Sequence, residues 1–264
     1  MLVLKDICWR VPEKEILDSV SLTVPDGKCV VVTGPNGGGK TSLAKIIAGI
    51  EQPDSGKLLL DGRIINRMSV TERARNGIAY AFQQPVRFKG LTVRDLMELA
   101  VGEAMDEDAL CDSLSQVGLC AREYIDREVS GSLSGGEIKR IEIATVLARR
   151  ARLSVFDEPE AGIDLWSFNN LIDVFRKLRS EVDGSILVIS HQRRILEIAD
   201  EIVIISGGRV SAQGSREEML PRLFDGQTQG RPCPLERGAP DEPDHGKAAR
   251  GRIELDGRTQ ERGL

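Results

Sequence analysis

Short apolar runs alternate with amphipathic stretches through most of the chain. Val20, Leu22 and Val24 alternate with polar positions, a pattern typical of a half-buried strand. Continuous apolar runs predict buried strands at residues 29–32, 78–82, 153–156, 186–189 and 202–205. Helical periodicity lies between them, most clearly over residues 42–50 and 167–179. Strands that alternate with helices predict an α/β fold with a parallel sheet.

Two regions depart from this alternation. Residues from about 88 to 150 carry helical periodicity without a strand-like run, so we expect an inserted helical subdomain. Residues 225–264 contain seven glycines, four prolines and no aromatic residue, and such a segment cannot bury enough apolar surface to offset its ordering entropy. We therefore expect one domain over residues 1–224 and a disordered tail over residues 225–264.

The overall composition argues against several classes of protein. The 264-residue chain has a net charge of −5, which argues against a nucleic-acid-binding surface. It has no run of about 18 apolar residues, and its first residues lack the pattern of a secretory signal peptide. The five cysteines are scattered without a Cys-x-x-Cys pair, which indicates reduced thiols in a cytoplasmic protein.

A glycine-rich segment lies between the first buried strand and the first predicted helix. It fits Gly-x-x-x-x-Gly-Lys-Ser/Thr, which in this strand–loop–helix context predicts a phosphate-binding loop rather than an ordinary glycine-rich turn. Backbone N–H groups would face phosphate oxygens, Lys40 would reach the β- and γ-phosphates, and the Thr41 hydroxyl would hold Mg²⁺. The residues expected to bind the phosphates here are Gly34, Pro35, Asn36, Gly37, Gly38, Gly39, Lys40, Thr41 and Ser42.

Polar residues follow three of the predicted strands. Asp157 and Glu158 follow one strand, His191 a second and Gln83 a third. At the carboxyl edge of a parallel sheet, Asp157 can face Mg²⁺ and Glu158 can polarise a water for attack on the γ-phosphate. The Gln83 amide could reach the metal or that water. We therefore predict Glu158 and Gln83 as catalytic residues, and Thr41, Gln83 and Asp157 as metal ligands, and we place His191 beside the same phosphate site.

Two adjacent glycines open a further helical pattern. Ser134 and Glu137 have the spacing of a capping box, which needs neither Gly135 nor Gly136. Glycines at a helix start cost stability unless something approaches the backbone closely.

Together these segments resemble the ATP-binding cassette (ABC) ATPases over about residues 1–224. Residues 34–41 resemble Walker A, and residues 153–158 resemble Walker B with its adjoining catalytic glutamate. Leu-Ser-Gly-Gly-Glu at 133–137 resembles the family signature, and Gln83, His191 and Asp164 resemble the Q-loop, switch and D-loop residues. The resemblance implies that His191 is also a catalytic residue. The resemblance implies a P-loop NTPase fold with a RecA-like parallel-sheet core, an antiparallel β subdomain and an inserted α-helical subdomain.

The resemblance also implies a second cassette as partner. In this family two cassettes dimerise head to tail, and the signature of one closes over ATP held by Walker A of the other. Ser134, Gly135, Gly136 and Asp164 are thereby assigned to nucleotide binding, and the paired glycines are explained by close approach of the γ-phosphate. ATP binding joins the copies and hydrolysis separates them, which drives conformational change in an attached protein.

Finer features resemble the SufC ATPases of iron–sulfur cluster assembly. Glu137 replaces the usual glutamine of the signature, and Glu160 replaces the usual threonine or serine after Pro159. This resemblance implies a SufB/SufD-like scaffold partner in the cytoplasm. One alternative is the energising subunit of an ABC transporter, bound to a membrane permease on the inner membrane face. Another is a regulatory module that binds ATP without hydrolysis, against which Glu158 and His191 argue.

Two further expectations concern single positions. Val11 takes the place of the aromatic residue that often stacks on adenine, and Trp9 either lies near the base or packs in the core. Pro85, Val86 and Phe88 are apolar residues in the loop at 83–90, where we expect the partner to dock.

Overall fold

A computed structural model of the protein describes residues 1–181 and 184–225, so the tail predicted at 225–264 lies, apart from its first residue, outside the described residues. The strands are β1 (Leu2–Val11), β2 (Lys14–Val24), β3 (Cys29–Thr33), β4 (Ser55–Leu60), β5 (Arg63–Ile64), β6 (Ile78–Ala81), β7 (Leu153–Asp157), β8 (Ser185–Ile189), β9 (Glu201–Ser206) and β10 (Arg209–Ser215). The helices are α1 (Lys40–Ala48), α2 (Val70–Arg75), α3 (Val93–Val101), α4 (Glu107–Gln116), α5 (Ala121–Tyr124), α6 (Gly135–Ala148), α7 (Leu165–Glu181), α8 (Arg193–Leu196) and α9 (Arg216–Asp225). Within the described ranges, no helix combines the length and the apolar character that a bilayer span requires.

The larger sheet has the strand order β10-β9-β3-β8-β7-β6. Its members pair in parallel except at the β9–β10 edge, which is antiparallel. Every residue of β3 and of β8 is buried, because both faces of the sheet are covered. The five predicted apolar strands are confirmed, with β6 ending at Ala81 rather than at Phe82.

A second, antiparallel sheet has the order β2-β1-β4-β5. In its register Leu4 of β1 lies opposite Leu22 on one side and Leu58 on the other, and all three side chains are buried. Leu43 and Ile47 of α1 belong to the same apolar cluster. Helix α1 therefore lies where both sheets contribute to the core.

The region from 88 to 150 carries α3 to α6, as the periodicity predicts. Its backbone closes on itself through an isolated antiparallel bridge between Thr92 and Glu128. Met97 of α3, Leu114 of α4 and Ile138 of α6 share one buried cluster. The boundary of this subdomain and that of the whole domain stay predictions.

Arg73 of α2 fixes the end of the helix that follows the glycine-rich loop. Its guanidinium is fully buried and donates to the carbonyl oxygens of Ile46 and Ile47 at the carboxyl end of α1. It also donates to the carbonyl oxygen of Asn66 at 2.9 Å. A cation at a helix carboxyl terminus is favoured by the helix dipole, so Arg73 stabilises the position of α1.

Candidate nucleotide site

The glycine-rich loop leaves the start of α1 open to an anion. Gly39 is the N-cap with a φ of 99°, no side chain caps the helix, and its first turn holds no acidic residue. By contrast, α2, α3 and α6 each begin with a complete capping box. The free N–H groups of the first turn of α1 therefore suit phosphate oxygens, which they and the helix dipole both favour.

Two glycines of this loop are required by neighbouring strands. A Cβ on Gly34 would collide with the carbonyl oxygen of Ile205 in β9. A Cβ on Gly39 would lie 2.9 Å from the carbonyl oxygen of Ile16 in β2, at a φ that disfavours side chains. The sequence pattern indicated phosphate binding for these positions, and the structure adds that the loop is held between two sheets.

Lys40 closes the loop from within. Its ammonium donates to the carbonyl oxygens of Gly34 at 2.8 Å and of Pro35 at 3.0 Å, and only 6% of the residue is exposed. Thr41 and Ser42 are half-buried, whereas Pro35, Asn36 and Gly37 face solvent. The loop thus holds the Lys40 ammonium against its own backbone, next to the uncapped start of α1.

Asp157 lies directly beside Thr41. The Thr41 hydroxyl donates to one carboxylate oxygen of Asp157 at 3.2 Å, and the Tyr80 hydroxyl donates to the other at 3.1 Å. Asp157 is fully buried, and this burial raises its pKa. Adjacent hydroxyl and carboxylate oxygens are the donor set that Mg²⁺ prefers, and a cation there would offset the cost of burying the charge. The residues present therefore fit a Mg²⁺ ion.

Glu158 contacts Gln83, the second residue after β6. Its carboxylate accepts a hydrogen bond of 2.6 Å from the Gln83 amide nitrogen. Its backbone takes a φ of 45°, unusual for a residue with a side chain, and its N–H donates to the Ile189 carbonyl oxygen at 2.9 Å. The chain turns sharply after Asp157. The carboxylates of Asp157 and Glu158 therefore have different partners, Thr41 and Tyr80 for Asp157 and Gln83 for Glu158.

Sequence reasoning did not select Ser190 or Glu160 as site residues, although it noted Glu160 as unusual. The buried Ser190 hydroxyl donates to one carboxylate oxygen of Glu160 at 2.5 Å and accepts from the Gln192 N–H at 3.0 Å. Burial raises the pKa of Glu160, while the hydrogen bond from Ser190 acts in the opposite direction. His191 itself is exposed. The predicted site residue His191 thus directly follows Ser190, a buried serine that is hydrogen-bonded to the Glu160 carboxylate.

The predicted signature residues form a separate group. Ser134 caps α6 by accepting from the Glu137 N–H at 3.2 Å, while the Glu137 carboxylate accepts from the Ser134 N–H at 2.7 Å. Gly135 is exposed. A Cβ on Gly136 would lie 3.4 Å from the carbonyl oxygen of Gly162. Gly162 precedes Asp164 by two residues, and Asp164 is exposed. Among the described residues, no hydrogen bond joins this group to the loop at 34–41.

Comparison with known proteins identifies the family to which the chain belongs. Residues 17–161 match the ABC transporter family. The chain belongs to this family. An uncharacterized ABC transporter ATP-binding protein of Methanocaldococcus jannaschii is 37% identical over 214 residues, which cover 78% of this chain and 85% of that protein. The lipopolysaccharide export system ATP-binding protein LptB of Escherichia coli strain K12 is 31% identical over 226 residues, which cover 83% and 92%.

Solved structures of ABC cassettes share the fold. A cassette solved as a dimer in a post-hydrolysis state with ADP and Pi has a TM-score of 0.72 at 24% identity, over 82% of this chain and 99% of that chain. This confirms the predicted architecture of parallel-sheet core, antiparallel sheet and helical insertion. The protein is an ABC-family ATPase, as predicted.

Proposed function

We propose that the protein is the nucleotide-binding subunit of an ABC transporter. The observation that carries this proposal is the 2.6 Å bond between Gln83 and Glu158, because it joins an exposed loop to the hydrolytic carboxylate. The relatives described above carry transporter names, and they favour this reading over an iron–sulfur assembly role. Because the family is hydrolytic, we set aside a module that only binds ATP.

In this proposal the loop at 34–41 binds the phosphates of ATP. Lys40 contributes its ammonium, and the first turn of α1 contributes N–H donors. Thr41 and Asp157 would hold Mg²⁺, which when bound neutralises charge that develops on the phosphate oxygens. Glu158 accepts a proton from the attacking water, and Gln83 orients the Glu158 carboxylate. His191 lies after β8 at the same edge of the sheet and would contact the γ-phosphate.

The signature residues serve the second copy. Ser134, Gly135 and Gly136 open α6 on an exposed surface, where the paired glycines leave the backbone accessible to a ligand. We propose that they meet the γ-phosphate bound by the other cassette, with Asp164 at the same contact. This arrangement makes each catalytic site complete only in the dimer.

The loop at 83–90 is the surface that we assign to the permease. Val86 and Phe88 of this loop are 38% and 40% exposed, and Phe82, just before it, is 39% exposed. Such a concentration of apolar side chains marks an interface. The Phe88 N–H donates to the Val129 carbonyl oxygen at 2.9 Å, which ties the loop to the helical region. A permease bound there would be coupled to Glu158 through the Gln83–Glu158 hydrogen bond. The cassette itself would stay peripheral on the inner membrane face.

A SufC-like role is the second candidate. The observation that favours it is that Glu137 and Glu160, the two unusual acidic residues, both form hydrogen bonds within the fold. Glu137 accepts from Ser134 and from Tyr124, and Glu160 accepts from Ser190. In that role the partner would be a SufB/SufD-like scaffold, and the same loop would bind it.

Purification of the full chain from its native cells with an affinity tag decides between these partners. We expect an integral membrane permease to co-purify, and Phe88→Asp to abolish the complex while the variant stays folded. Val70→Asp is the control, because Val70 is also an exposed apolar residue and lies at the first turn of α2, where an aspartate is tolerated. Recovery of a soluble scaffold would overturn the transporter role, and an intact complex in Phe88→Asp would remove this loop from the interface.

A further inference from the structure

A cationic cleft lies at the opposite end of the core strands from the nucleotide site. It occupies about 970 Å³ between the carboxyl ends of α3 and α6 on one side and the β4–β5 turn with α2 on the other. Gly77 and Arg152, which directly precede β6 and β7, line the cleft. Gln83, Asp157 and Glu158 lie at the other ends of those strands. The cleft is therefore distinct from the ATP site.

Five arginines line this cleft and one acidic residue faces them. The arginines are Arg63, Arg75, Arg149, Arg150 and Arg152, and the acid is Asp61. Asp61 is already paired with Arg152 at 3.0 Å, and Arg149 donates to the Ala74 carbonyl oxygen. Arg63, Arg75 and Arg150 form no ion pair with any residue in the described ranges. The cleft thus carries an excess of positive charge in a chain whose net charge is −5.

The neighbouring cavity differs in charge. It occupies about 960 Å³, and its basic residues are matched in number by acidic ones: Arg150, Arg152 and Lys177 against Glu103, Asp106 and Asp112. Positive charge is therefore concentrated on one side of the segment at 149–152, as expected for a surface that recognises carboxylates or phosphates.

Arg150 occupies a position where glycine would be more stable. It follows the C-cap Arg149 of α6, has a φ of 47°, and its N–H donates to the Leu147 carbonyl oxygen at 3.0 Å. This is the position after a helix end that usually carries glycine, because a side chain is strained there. An arginine at this position presents a guanidinium to the cleft at a cost in stability.

Leu99 adds an apolar element at the same cleft. It is 67% exposed, the largest exposed fraction among the large apolar residues of the described chain. A small anion would leave Leu99 in water, whereas an amphipathic protein segment would cover it and present carboxylates to the arginines.

We propose that this cleft binds an acidic, amphipathic segment of the partner protein. The proposal rests on the proposed function for the existence of a partner, but it does not require that the partner be a permease. It makes Arg63, Arg75 and Arg150 specificity determinants, since charge complementarity selects among docking segments more strongly than apolar contact does.

Photo-cross-linking in native cells tests this proposal. The full chain carries p-benzoylphenylalanine in place of Leu99, and the cross-linked peptide is sequenced. We expect a protein segment with two or more Asp or Glu residues within about one helical turn. A neutral or basic segment, a second copy of this chain, a lipid adduct or the absence of any adduct would each overturn the proposal. An acidic segment from a soluble protein would support it and overturn the transporter role, so the two failures are distinguishable.

Charge variants give the second arm. Arg75→Glu should lower the yield of this adduct at least ~10-fold, because a like charge would face the acidic segment. Arg150→Gly should lower the yield too, while raising Tm by about 2 °C through relief of backbone strain. Arg122→Glu on α5, an exposed arginine outside the cleft, should leave the yield unchanged. Equal yields in all three variants would overturn the proposal.

Discussion

The side-chain amide of Gln83 donates a hydrogen bond of 2.6 Å to the carboxylate of Glu158. Gln83 opens the loop after β6 and Glu158 follows β7, and these strands are parallel neighbours that pair from Ile78 with Leu153 to Ala81 with Phe156. Because the register fixes both strand ends, a movement of Gln83 would change its contact with Glu158. In the proposed mechanism, binding at the loop therefore alters hydrolysis.

Glu158→Gln should nearly stop turnover without weakening ATP binding. The substitution keeps the size of the side chain and removes the base, and loss of such a group lowers rates by roughly 10²–10⁴-fold. An ATP-bound dimer should accumulate, because the hydrolysis that separates the copies is blocked while the phosphate-binding loop is unchanged. Phosphate release and light scattering measure the two effects, with the exposed Glu107→Gln of α4 as control. Normal turnover, or a monomer in ATP, would contradict the assignment.

Lys40→Ala should weaken ATP binding at least ~10-fold, since a charge-assisted hydrogen bond contributes about 1.5–3 kcal/mol. Titration calorimetry with ATP measures the loss. Lys45→Ala lies on the same helix, outside the glycine-rich loop, and should bind ATP normally. Unchanged affinity in Lys40→Ala would show that the loop does not hold the phosphates.

The core sheet was predictable because its strands must be apolar at consecutive positions when both faces are buried, as in β3 and β8. Strand β4 was not predicted, since only Leu58 and Leu60 of its six residues are buried and its place depends on pairing with the distant β1. Trp9 was left open by the sequence, and in the structure it packs, half-buried, against the core cluster of both sheets. Sequence spacing does not show such tertiary contacts.

The same limit applies to charged residues of the site. Lys139 and Glu142 read as ordinary polar positions on a helix, yet Lys139 is fully buried and Glu142 is only 14% exposed. What buries them is the chain after β6: the Glu142 carboxylate accepts from the Phe82 N–H at 2.7 Å, and Lys139 donates to the Phe82 carbonyl oxygen. Their role could be found only once α6 was packed against the strand that precedes Gln83.

Lys139→Met should therefore be strongly destabilising. It leaves Glu142, whose pKa burial already raises, without its cation, and breaking a buried pair in this way costs about 3–5 kcal/mol. Glu142→Gln should cost less, because an amide oxygen can still accept from the Phe82 N–H. Denaturant unfolding measures both losses, and a double variant measures their coupling. A loss below about 1 kcal/mol in Lys139→Met would contradict the clamp on Phe82.

Tyr124→Phe should weaken the dependence of stability on acid pH. The hydrogen bond from the Tyr124 hydroxyl, followed by those from Ser134, lowers the pKa of Glu137 from 4.5 to about 2. Above pH 4.5 the carboxylate is charged in both the folded and the unfolded chain, so its bonds stabilise the fold fully. As the pH falls from 4.5 to about 2, the unfolded chain binds the proton first and this stabilisation is lost. Without the hydroxyl, the folded pKa should rise toward 4.5, and less stability should be lost across that window.

Carbon-13 NMR of the Glu137 carboxyl measures the pKa, and thermal unfolding between pH 2 and pH 5 measures the stability. Tyr80→Phe is the matched control, because the Tyr80 hydroxyl donates to Asp157 rather than to Glu137. An unchanged pKa of Glu137 in Tyr124→Phe would show that Ser134 alone holds the carboxylate. The cap of the signature helix would then be independent of α5, and the unusual glutamate would need no partner outside its own capping box.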